Sequence, residues 1–261
     1  MNTKTELKIL LLGDSCTDVY QYGTVERINP EAPVPIFQYS HQESKLGMAG
    51  NVLLNLQALG CKVKFITNSE YGIKTRLIDI KSKQQMLRID NDNISEPLDL
   101  NNFNDWDYNA IVISDYNKGA ISYELIEHII DHYNGPIFVD TKKTDLARFK
   151  HCFLKINEIE YKARKSDGEN IIVTLGNKGA MLKTKSIEKM FPTQVKDVTD
   201  VCGAGDTFLS ALTYYYLKDC DIEKAIEFAN IAAKITVQHI GVYAPSLQEI
   251  LENKGENYEL G

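Results

Sequence analysis

The sequence lacks the features of a membrane-spanning or secreted protein. It contains no run of about 18 consecutive apolar residues, the length that a membrane helix requires. Its first apolar run reaches Asp14 too early for a signal-peptide core followed by a cleavage site. The five cysteines are odd in number, scattered and without a CxxC pair, which predicts reduced thiols. These absences predict a cytoplasmic protein without a membrane partner.

A positive net charge is also missing. The 261 residues include 29 Lys and Arg against 36 Asp and Glu, so the formal net charge is −7. A broad basic surface for nucleic acid is therefore not expected, and any phosphate that the protein handles must be held by local groups. No linker, internal repeat or low-complexity segment divides the chain, and we predict one domain over residues 1–261.

Short apolar runs of strand length recur along the chain and alternate with helical patterns. Runs without polar alternation are typical of strands that are covered on both faces. The runs end at Asp14, Thr67, Asp115, Asp140, Asn157 and Gly176. The helical patterns cover residues 49–60, 122–133 and 222–240. This alternation predicts an α/β fold with a mostly parallel sheet, in which ligands bind beyond the carboxyl ends of the strands. The alternative is that these Asp and Gly residues only form turns.

Two segments break the alternation of strands and helices. Residues 20–45 contain three prolines and alternate weakly, and residues 73–90 alternate apolar with charged side chains. We expect half-exposed antiparallel strands outside the main sheet, forming a lid. Their free edges suit a twofold partner, so a homodimer through the lid is expected.

The strongest chemical signal lies in residues 200–217. The turn Gly203-Ala204-Gly205 opens an amphipathic helix, which predicts an anion hole of backbone N–H groups at the positive end of the helix dipole. Asp206 follows this turn, where a carboxylate suits a base that deprotonates a hydroxyl attacking a phosphoryl group. An Asp that only caps the helix is the alternative, and these four residues alone leave both open.

This segment resembles the signature of the ribokinase-like (phosphofructokinase-B) carbohydrate kinases, and further matches follow in that family's order. LGMAGN at 46–51 resembles its substrate loop, and KINEIE at 155–160 resembles its NxxE element. VTLGNKGA at 173–180 resembles its nucleotide loop, and residues 228–241 resemble the helix that flanks the adenine. The resemblance implies a three-layer α/β/α fold with a small β lid, ATP and Mg²⁺ as cofactors, and a sugar as acceptor.

The matched positions imply roles for individual residues. The implied catalytic residues are Asp206, as the base, and Gly203, Ala204 and Gly205, which hold the migrating phosphoryl group. The magnesium element is Asn157 and Glu160. The nucleotide contacts are Thr174, Gly176, Gly179 and Asn230. The acceptor contacts, which combine hydroxyl partners with phosphate-binding cations, are Asp18, Gly47, Asn51, Arg88 and Lys118.

Within that family the sequence resembles the kinases of D-glycero-D-manno-heptose 7-phosphate, which phosphorylate the anomeric hydroxyl to give the 1,7-bisphosphate. The segments RINPEAPVPI at 27–36 and SDYNKGAI at 114–121 carry this resemblance. A kinase of another sugar or a nucleoside, and a non-catalytic nucleotide-binding homologue, are the alternatives. Two departures favour the latter. Met48 stands where a glycine is usual, with negative φ expected, and residues 68–72 replace a further helix and strand.

Overall fold

The computed structural model describes residues 6–193 and 198–254, so the ends and one internal segment of the predicted domain, 1–5, 194–197 and 255–261, lie outside the described residues. The strands are β1 Lys8–Gly13, β2 Ser15–Ile28, β3 Pro35–Met48, β4 Lys62–Thr67, β5 Gly72–Asp79, β6 Gln85–Asn91, β7 Ala110–Asp115, β8 Ile137–Thr141, β9 Cys152–Asn157, β10 Asn170–Thr174, β11 Ala180–Thr184 and β12 Glu188–Phe191. The helices are α1 Ala49–Ala58, α2 Tyr123–His132, α3 Glu158–Ala163, α4 Ala204–Asp219, α5 Ile222–Thr236 and α6 Leu247–Lys254.

Eight strands form the central sheet in the order β12-β11-β10-β9-β8-β7-β1-β4. The six strands from β10 to β4 in that order are parallel, and β11 and β12 are antiparallel to their neighbours. The predicted α/β fold with a mostly parallel sheet is therefore confirmed. Because the six strands run in one direction, their carboxyl ends meet at one edge, where the residues Gly13, Asp115, Asp140, Asn157 and Thr174 lie.

Alternate residues of each central strand enter two separate cores. Ile9 and Leu11 of β1 belong to the core that packs against α1, α4 and α5. Leu10 and Leu12 belong to the core on the opposite face, which includes Leu125 of α2. All four β1 side chains are fully buried, as expected for a strand covered on both faces. The three-layer α/β/α arrangement is thus the one that the family resemblance implies.

A second sheet of four strands, in the order β3-β2-β5-β6, corresponds to the predicted lid segments. The pairs β2–β3 and β5–β6 are antiparallel, as expected. The prediction is wrong for β2 and β5, which are parallel. The reason is that β2 follows β1 and β5 follows β4, and β1 and β4 are parallel neighbours. Both lid strands therefore leave the same edge of the central sheet in the same direction.

Helix α5 ends at Thr236, before the predicted residue 240. The carbonyl of Val237 accepts hydrogen bonds from the amides of Thr199 (2.8 Å) and Asp200 (3.2 Å) instead of continuing the helix. This contact fixes the segment that leads into α4. In the described part of the chain, no helix combines the length and apolar character needed to span a bilayer.

Candidate active site

Asp206 lies in the first turn of α4, and its side chain is held from two sides. It is 6% exposed. The Asn51 side-chain amide donates to one carboxylate oxygen at 2.8 Å, and the Tyr116 hydroxyl donates to the other at 2.9 Å. Burial raises the pKa of Asp206 to about 6, and these two hydrogen bonds oppose that rise. At neutral pH this group is therefore mostly a carboxylate, and the two hydrogen bonds fix its orientation.

The turn before Asp206 is the segment for which the sequence predicts an anion hole. Gly203 has a φ of +79°, a conformation that favours glycine, and it precedes the first residue of α4. The N–H of Ala204, however, points to the Val201 carbonyl oxygen at 3.3 Å, so its predicted part in the hole is not seen in this conformation. The hole therefore stays a prediction for the amides of Gly203 and Gly205.

A buried lysine that the sequence analysis did not assign lies against this turn. Lys155 of β9 is 4% exposed, and its ammonium nitrogen is 2.6 Å from a carboxylate oxygen of Asp140. Burial lowers the pKa of Lys155, but the Asp140 carboxylate outweighs it and leaves the pKa raised. A Cβ on Gly205 would lie 2.7 Å from this nitrogen, so the glycine lets the ammonium group approach the helix start. Lys155 thus places a positive charge next to the start of α4.

Two cavities meet at this point. The smaller, of about 170 Å³, contains Asp206, Tyr116 and Asp140, and the larger, of about 430 Å³, extends along α4 and α5. Lys155, Asn157 and Gly205 line both. The four predicted nucleotide contacts, which all line the larger cavity, are Thr174, Gly176, Gly179 and Asn230. A group that occupies the larger cavity can therefore reach the lysine and the start of α4.

Asn157 and Glu160 form a reciprocal pair at the start of α3. The Asn157 side-chain oxygen accepts from the Glu160 amide at 2.9 Å, and the Glu160 carboxylate accepts from the Asn157 amide at 2.7 Å. The other Glu160 oxygen lies 3.2 Å from the Lys142 ammonium nitrogen. Among the described residues, no cluster of three or more His, Cys, Asp or Glu side chains could enclose a metal ion. The side-chain oxygens of Asn157 and Glu160 fit a Mg²⁺ ion that keeps its water shell and binds mainly through substrate phosphates.

The predicted acceptor residues divide into two groups. Asp18 is 5% exposed and pairs with Arg76 at 2.9 Å, and a Cβ on Gly47 would lie 2.1 Å from its carboxylate. Arg88 lines a third cavity, of about 840 Å³, between the lid and the segment before α4. Lys118 is different: its ammonium nitrogen lies 2.6 Å from an Asp92 oxygen, and it lines none of the three cavities. The structure therefore brings Asn51 to Asp206 and Arg88 to the lid cavity. It places Asp18 beside Arg76, which lines that cavity, with Gly47 against Asp18, and it leaves Lys118 outside.

Met48 has a φ of +55°, so the negative φ expected for it is wrong. The residue lies between the end of β3 and the start of α1, and it is 6% exposed. The next amide, of Ala49, donates to the Asp14 carbonyl at 3.0 Å, which fixes the chain at this turn. The fold thus imposes a glycine-like backbone on a methionine, a strain of about 1–3 kcal/mol.

Asp14 organises the loop that carries Tyr116. Its fully buried carboxylate accepts from the amides of Tyr116 (2.8 Å), Lys118 (3.1 Å) and Ala120 (2.9 Å). Sequence reasoning placed Asp14 at a strand end but did not find this role, because the three amides are more than 100 residues away along the chain. The loop, and with it the Tyr116 hydroxyl, is therefore anchored to the end of β1.

Comparison with known proteins agrees with this geometry. Residues 145–249, which include α4 and both predicted nucleotide segments, match the model of the pfkB family carbohydrate kinases. The chain is 31% identical over 299 aligned positions to the bifunctional protein HldE of a Nitratiruptor species, covering 94% of this chain and 64% of that protein. It is 32% identical to the bifunctional protein HldE of Sulfurimonas denitrificans, with 94% and 64% covered. The chain spans less than two thirds of the length of these curated relatives.

Solved structures show the same fold at lower identity. Ribokinase from Thermotoga maritima superimposes with a TM-score of 0.72 at 19% identity, covering 96% of this chain and all (100%) of that one. Arabidopsis thaliana ribokinase, complexed with ribose and ATP, gives a TM-score of 0.69 at 15% identity, with 95% and 99% covered. Phosphofructokinase-2 from Escherichia coli, in complex with potassium, gives 0.73 at 14% identity, with 96% and 98% covered.

Proposed function

The chain belongs to the pfkB family of carbohydrate kinases, and on that premise we propose that it transfers the γ-phosphoryl group of ATP to a hydroxyl of a sugar phosphate. The proposed acceptor is D-glycero-D-manno-heptose 7-phosphate, which becomes the 1,7-bisphosphate. The observation that carries this proposal is the placement of Asp206. Its carboxylate lines a small cavity that shares Lys155, Asn157 and Gly205 with the cavity proposed for the nucleotide.

ATP is proposed to occupy the larger cavity, at the end of which its phosphates approach Gly205 and Lys155. The part of that cavity between α4 and α5 is lined by the apolar side chains of Phe208, Ala233 and Val237, which suit the adenine ring of the nucleotide. A cytoplasmic location belongs to the same proposal, because ATP is available there.

In the proposed reaction, the acceptor hydroxyl gives its proton to Asp206 while its oxygen forms a bond to the γ-phosphorus. The bond between that phosphorus and the bridging oxygen of ADP breaks, and ADP leaves with the electron pair. Lys155 and the N-terminus of α4 stabilise the negative charge on the transferring group. Asn51 and Tyr116 keep the carboxylate of Asp206 oriented toward the acceptor.

Mg²⁺ is the proposed metal, and Asn157 and Glu160 would hold it through its water shell. When bound, it neutralises charge on the phosphates of the nucleotide. The Glu160 side chain is 14% exposed and lines the cavity that contains Asp206, so its carboxylate can reach a metal-bound water there.

The lid supports the proposed homodimer through its outer face. On that face of β5 and β6, Ile73, Leu87 and Ile89 are exposed by 42%, 52% and 52%. Thr75 pairs with Ile89 and Leu77 pairs with Leu87, so these apolar side chains lie together. Sedimentation of the wild type and of the variant Leu87→Glu tests this, with a monomeric variant as the expected result. A wild-type monomer at all concentrations contradicts it.

Product identification tests the proposed reaction. The protein is incubated with ATP, Mg²⁺ and D-glycero-D-manno-heptose 7-phosphate, and phosphorus NMR is expected to show ADP and a second, anomeric phosphate. Parallel reactions with fructose 6-phosphate and ribose separate the heptose from other acceptors. Turnover of ribose alone would contradict the sugar phosphate, and no turnover with any acceptor would favour the non-catalytic homologue.

A further inference from the structure

The inner face of the lid carries two arginines directly opposite each other. Arg76 of β5 and Arg88 of β6 are cross-strand partners in an antiparallel pair, so their side chains emerge on the same face. Like charges in this arrangement repel and destabilise a sheet. Both arginines line the 840 Å³ cavity between the lid and residues 199–202. A pair of facing cations in a cavity is explained if an anion binds between them.

Each arginine is held by a carboxylate that leaves part of its guanidinium group free. Arg76 pairs with Asp18 at 2.9 Å, and Arg88 pairs with Asp90 at 2.8 Å. The Arg76 Nε is buried and makes no hydrogen bond within the described part of the chain. Leaving a buried donor unpaired costs about 1–3 kcal/mol, so a ligand that accepts from it is favoured.

Tyr20 is the second unpaired donor at this place. Its side chain is 5% exposed and it lines the same cavity. Its hydroxyl makes no hydrogen bond of ordinary geometry within the described residues, although the Arg76 guanidinium is near enough to act on its pKa. Burial raises the pKa of Tyr20 to about 12, so the hydroxyl keeps its proton and can donate it. The Arg76 guanidinium and the Lys45 ammonium each lie 5.7 Å from the centre of the Tyr20 ring. Donors of three residues are thus grouped on one face of the lid.

The remaining charges of the cavity also favour an anion. Lys45 and Lys83 line it without an ion pair among the described residues. Asp200 is the one carboxylate among the described residues that line it, and its oxygens already accept from the amides of Cys202 (3.0 Å) and Gly241 (2.9 Å). The cavity reaches Cys202, next to the turn that begins at Gly203. The lid cavity therefore ends one residue before Gly203, which lines the cavity that contains Asp206.

We propose that Arg76, Arg88 and Tyr20, assisted by Lys45, bind the phosphate that the acceptor already carries. This inference rests on the proposed function and deepens it, because it makes the lid the part that selects a phosphorylated acceptor over a free sugar. The ligand class is a phosphomonoester dianion, whose oxygens match the planar donors of an arginine. It also moves the expected phosphate contact away from Lys118, which pairs with Asp92, and keeps Arg88 in that role.

The test compares the variants Arg88→Gln and Tyr20→Phe with the wild type on two acceptors, heptose 7-phosphate and the same heptose without phosphate. For the sugar phosphate, kcat/KM is expected to fall about 10- to 100-fold in Arg88→Gln and about 3- to 10-fold in Tyr20→Phe. The slow reaction with free heptose is expected to lose much less than the reaction with the sugar phosphate, and the KM for ATP is expected to change little. Arg27→Gln, an exposed arginine of the same lid that lines none of the three cavities, is the matched control.

Two outcomes of the kinetic test overturn the inference. An equal loss on both acceptors means that the arginine only supports the lid, and no loss on the sugar phosphate means that its phosphate binds elsewhere. If the wild type turns over neither acceptor, the proposed function fails, and calorimetric binding then decides the inference by itself. Tighter binding of heptose 7-phosphate than of heptose, lost in Arg88→Gln, supports the subsite, and equal binding of both sugars overturns it.

Discussion

The floor of the candidate site, which consists of Asp206, Lys155 and their hydrogen-bond partners, differs from the lid in how its charged groups are paired. On the floor, each buried ionic group has its partners within the protein: Asp206 has Asn51 and Tyr116, and Lys155 has Asp140. On the lid, Arg76 and Arg88 each pair with a carboxylate, but they face each other, and a buried Arg76 nitrogen lacks a partner among the described residues. A satisfied network holds its geometry without a ligand, whereas an unsatisfied one gains stability when a ligand binds. The floor is thus preorganised for chemistry, and the lid is suited to recognition.

The largest expected effect comes from removing the base on the floor. Asp206→Asn is expected to lower kcat by about 10²- to 10⁴-fold, because a hydroxyl no longer loses its proton to a positioned carboxylate. The KM or Kd for ATP is expected to stay unchanged, since the nucleotide contacts lie in the other cavity. Rates of ADP release and calorimetry with ATP measure the two quantities. Asp131→Asn, in an exposed position of α2, serves as the control.

A variant with full turnover would show that Asp206 only caps α4, and the contrast between floor and lid would then lose its chemical meaning. Loss of ATP binding together with turnover would show instead that the substitution disturbs the start of the helix.

Asp206→Asn also tests whether ionisation of the Asp206 carboxyl group lowers the free energy of unfolding. Burial raises the pKa of Asp206 from its ordinary value of 3.8 to about 6, so the folded state holds this proton more firmly than the unfolded state. That contribution to stability is complete below pH 3.8 and is lost as the pH rises through 6. Relative to Asp206→Asn, the wild type is therefore expected to lose about 3 kcal/mol of unfolding free energy between about pH 4 and 7.

Urea unfolding of both proteins across that pH range measures the difference. Parallel pH profiles for the wild type and the variant would contradict the expectation, and Asp131→Asn should reproduce the wild-type profile.

A smaller effect is expected from the tyrosine that holds the base. Tyr116→Phe removes a donor to the Asp206 carboxylate, so the pKa of that carboxyl should rise further. The acid limb of the kcat profile is expected to move upward by up to about one pH unit, with kcat at about pH 8 nearly unchanged. Asp140 and Lys155 are the charged groups that also act on Asp206, and both remain in the variant.

Kinetics from about pH 5 to 9 measure this shift, and Tyr243→Phe, which loses a hydrogen bond to Glu249 in α6, is the control. A uniform loss at every pH would indicate a structural role for Tyr116 in its loop instead.

The sequence predicts the fold more completely than the site. Runs such as residues 110–115 are apolar almost throughout because both sheet faces are covered, and that pattern is local. The pairs Lys155–Asp140 and Tyr116–Asp206 join residues 15 and 90 positions apart, and no local pattern specifies which strands are neighbours. One signal was available for Lys155, since a lysine within a strand buried on both faces needs an internal partner.

For the lid, the sequence predicts the strands but not how they pair. Its strands were predicted from alternation, but alternation does not give their register. The opposition of Arg76 and Arg88 depends on the hairpin between β5 and β6 and on its irregularity next to Leu77. The parallel pairing of β2 with β5 depends in turn on β1 and β4, which lie in the other sheet. Sequence reasoning therefore selects Arg88 as a phosphate contact but does not show that Arg76 lies opposite it.

The smallest expected effect is a difference in salt dependence between the two regions. The lid cations Lys45, Lys83 and Arg88 are exposed, and at about 0.5 M NaCl the screening length falls well below the roughly 10 Å found at 0.1 M. The KM for a sugar phosphate is therefore expected to rise a few-fold between these concentrations. The buried pair Lys155–Asp140 is screened much less, so kcat should change little. Arg88→Gln should show a weaker salt dependence of KM than Arg27→Gln, because only the first substitution removes a positive charge that is proposed to bind the phosphate. An equal rise of KM for free heptose would place the salt effect outside phosphate recognition and weaken the contrast between an open lid and a closed floor.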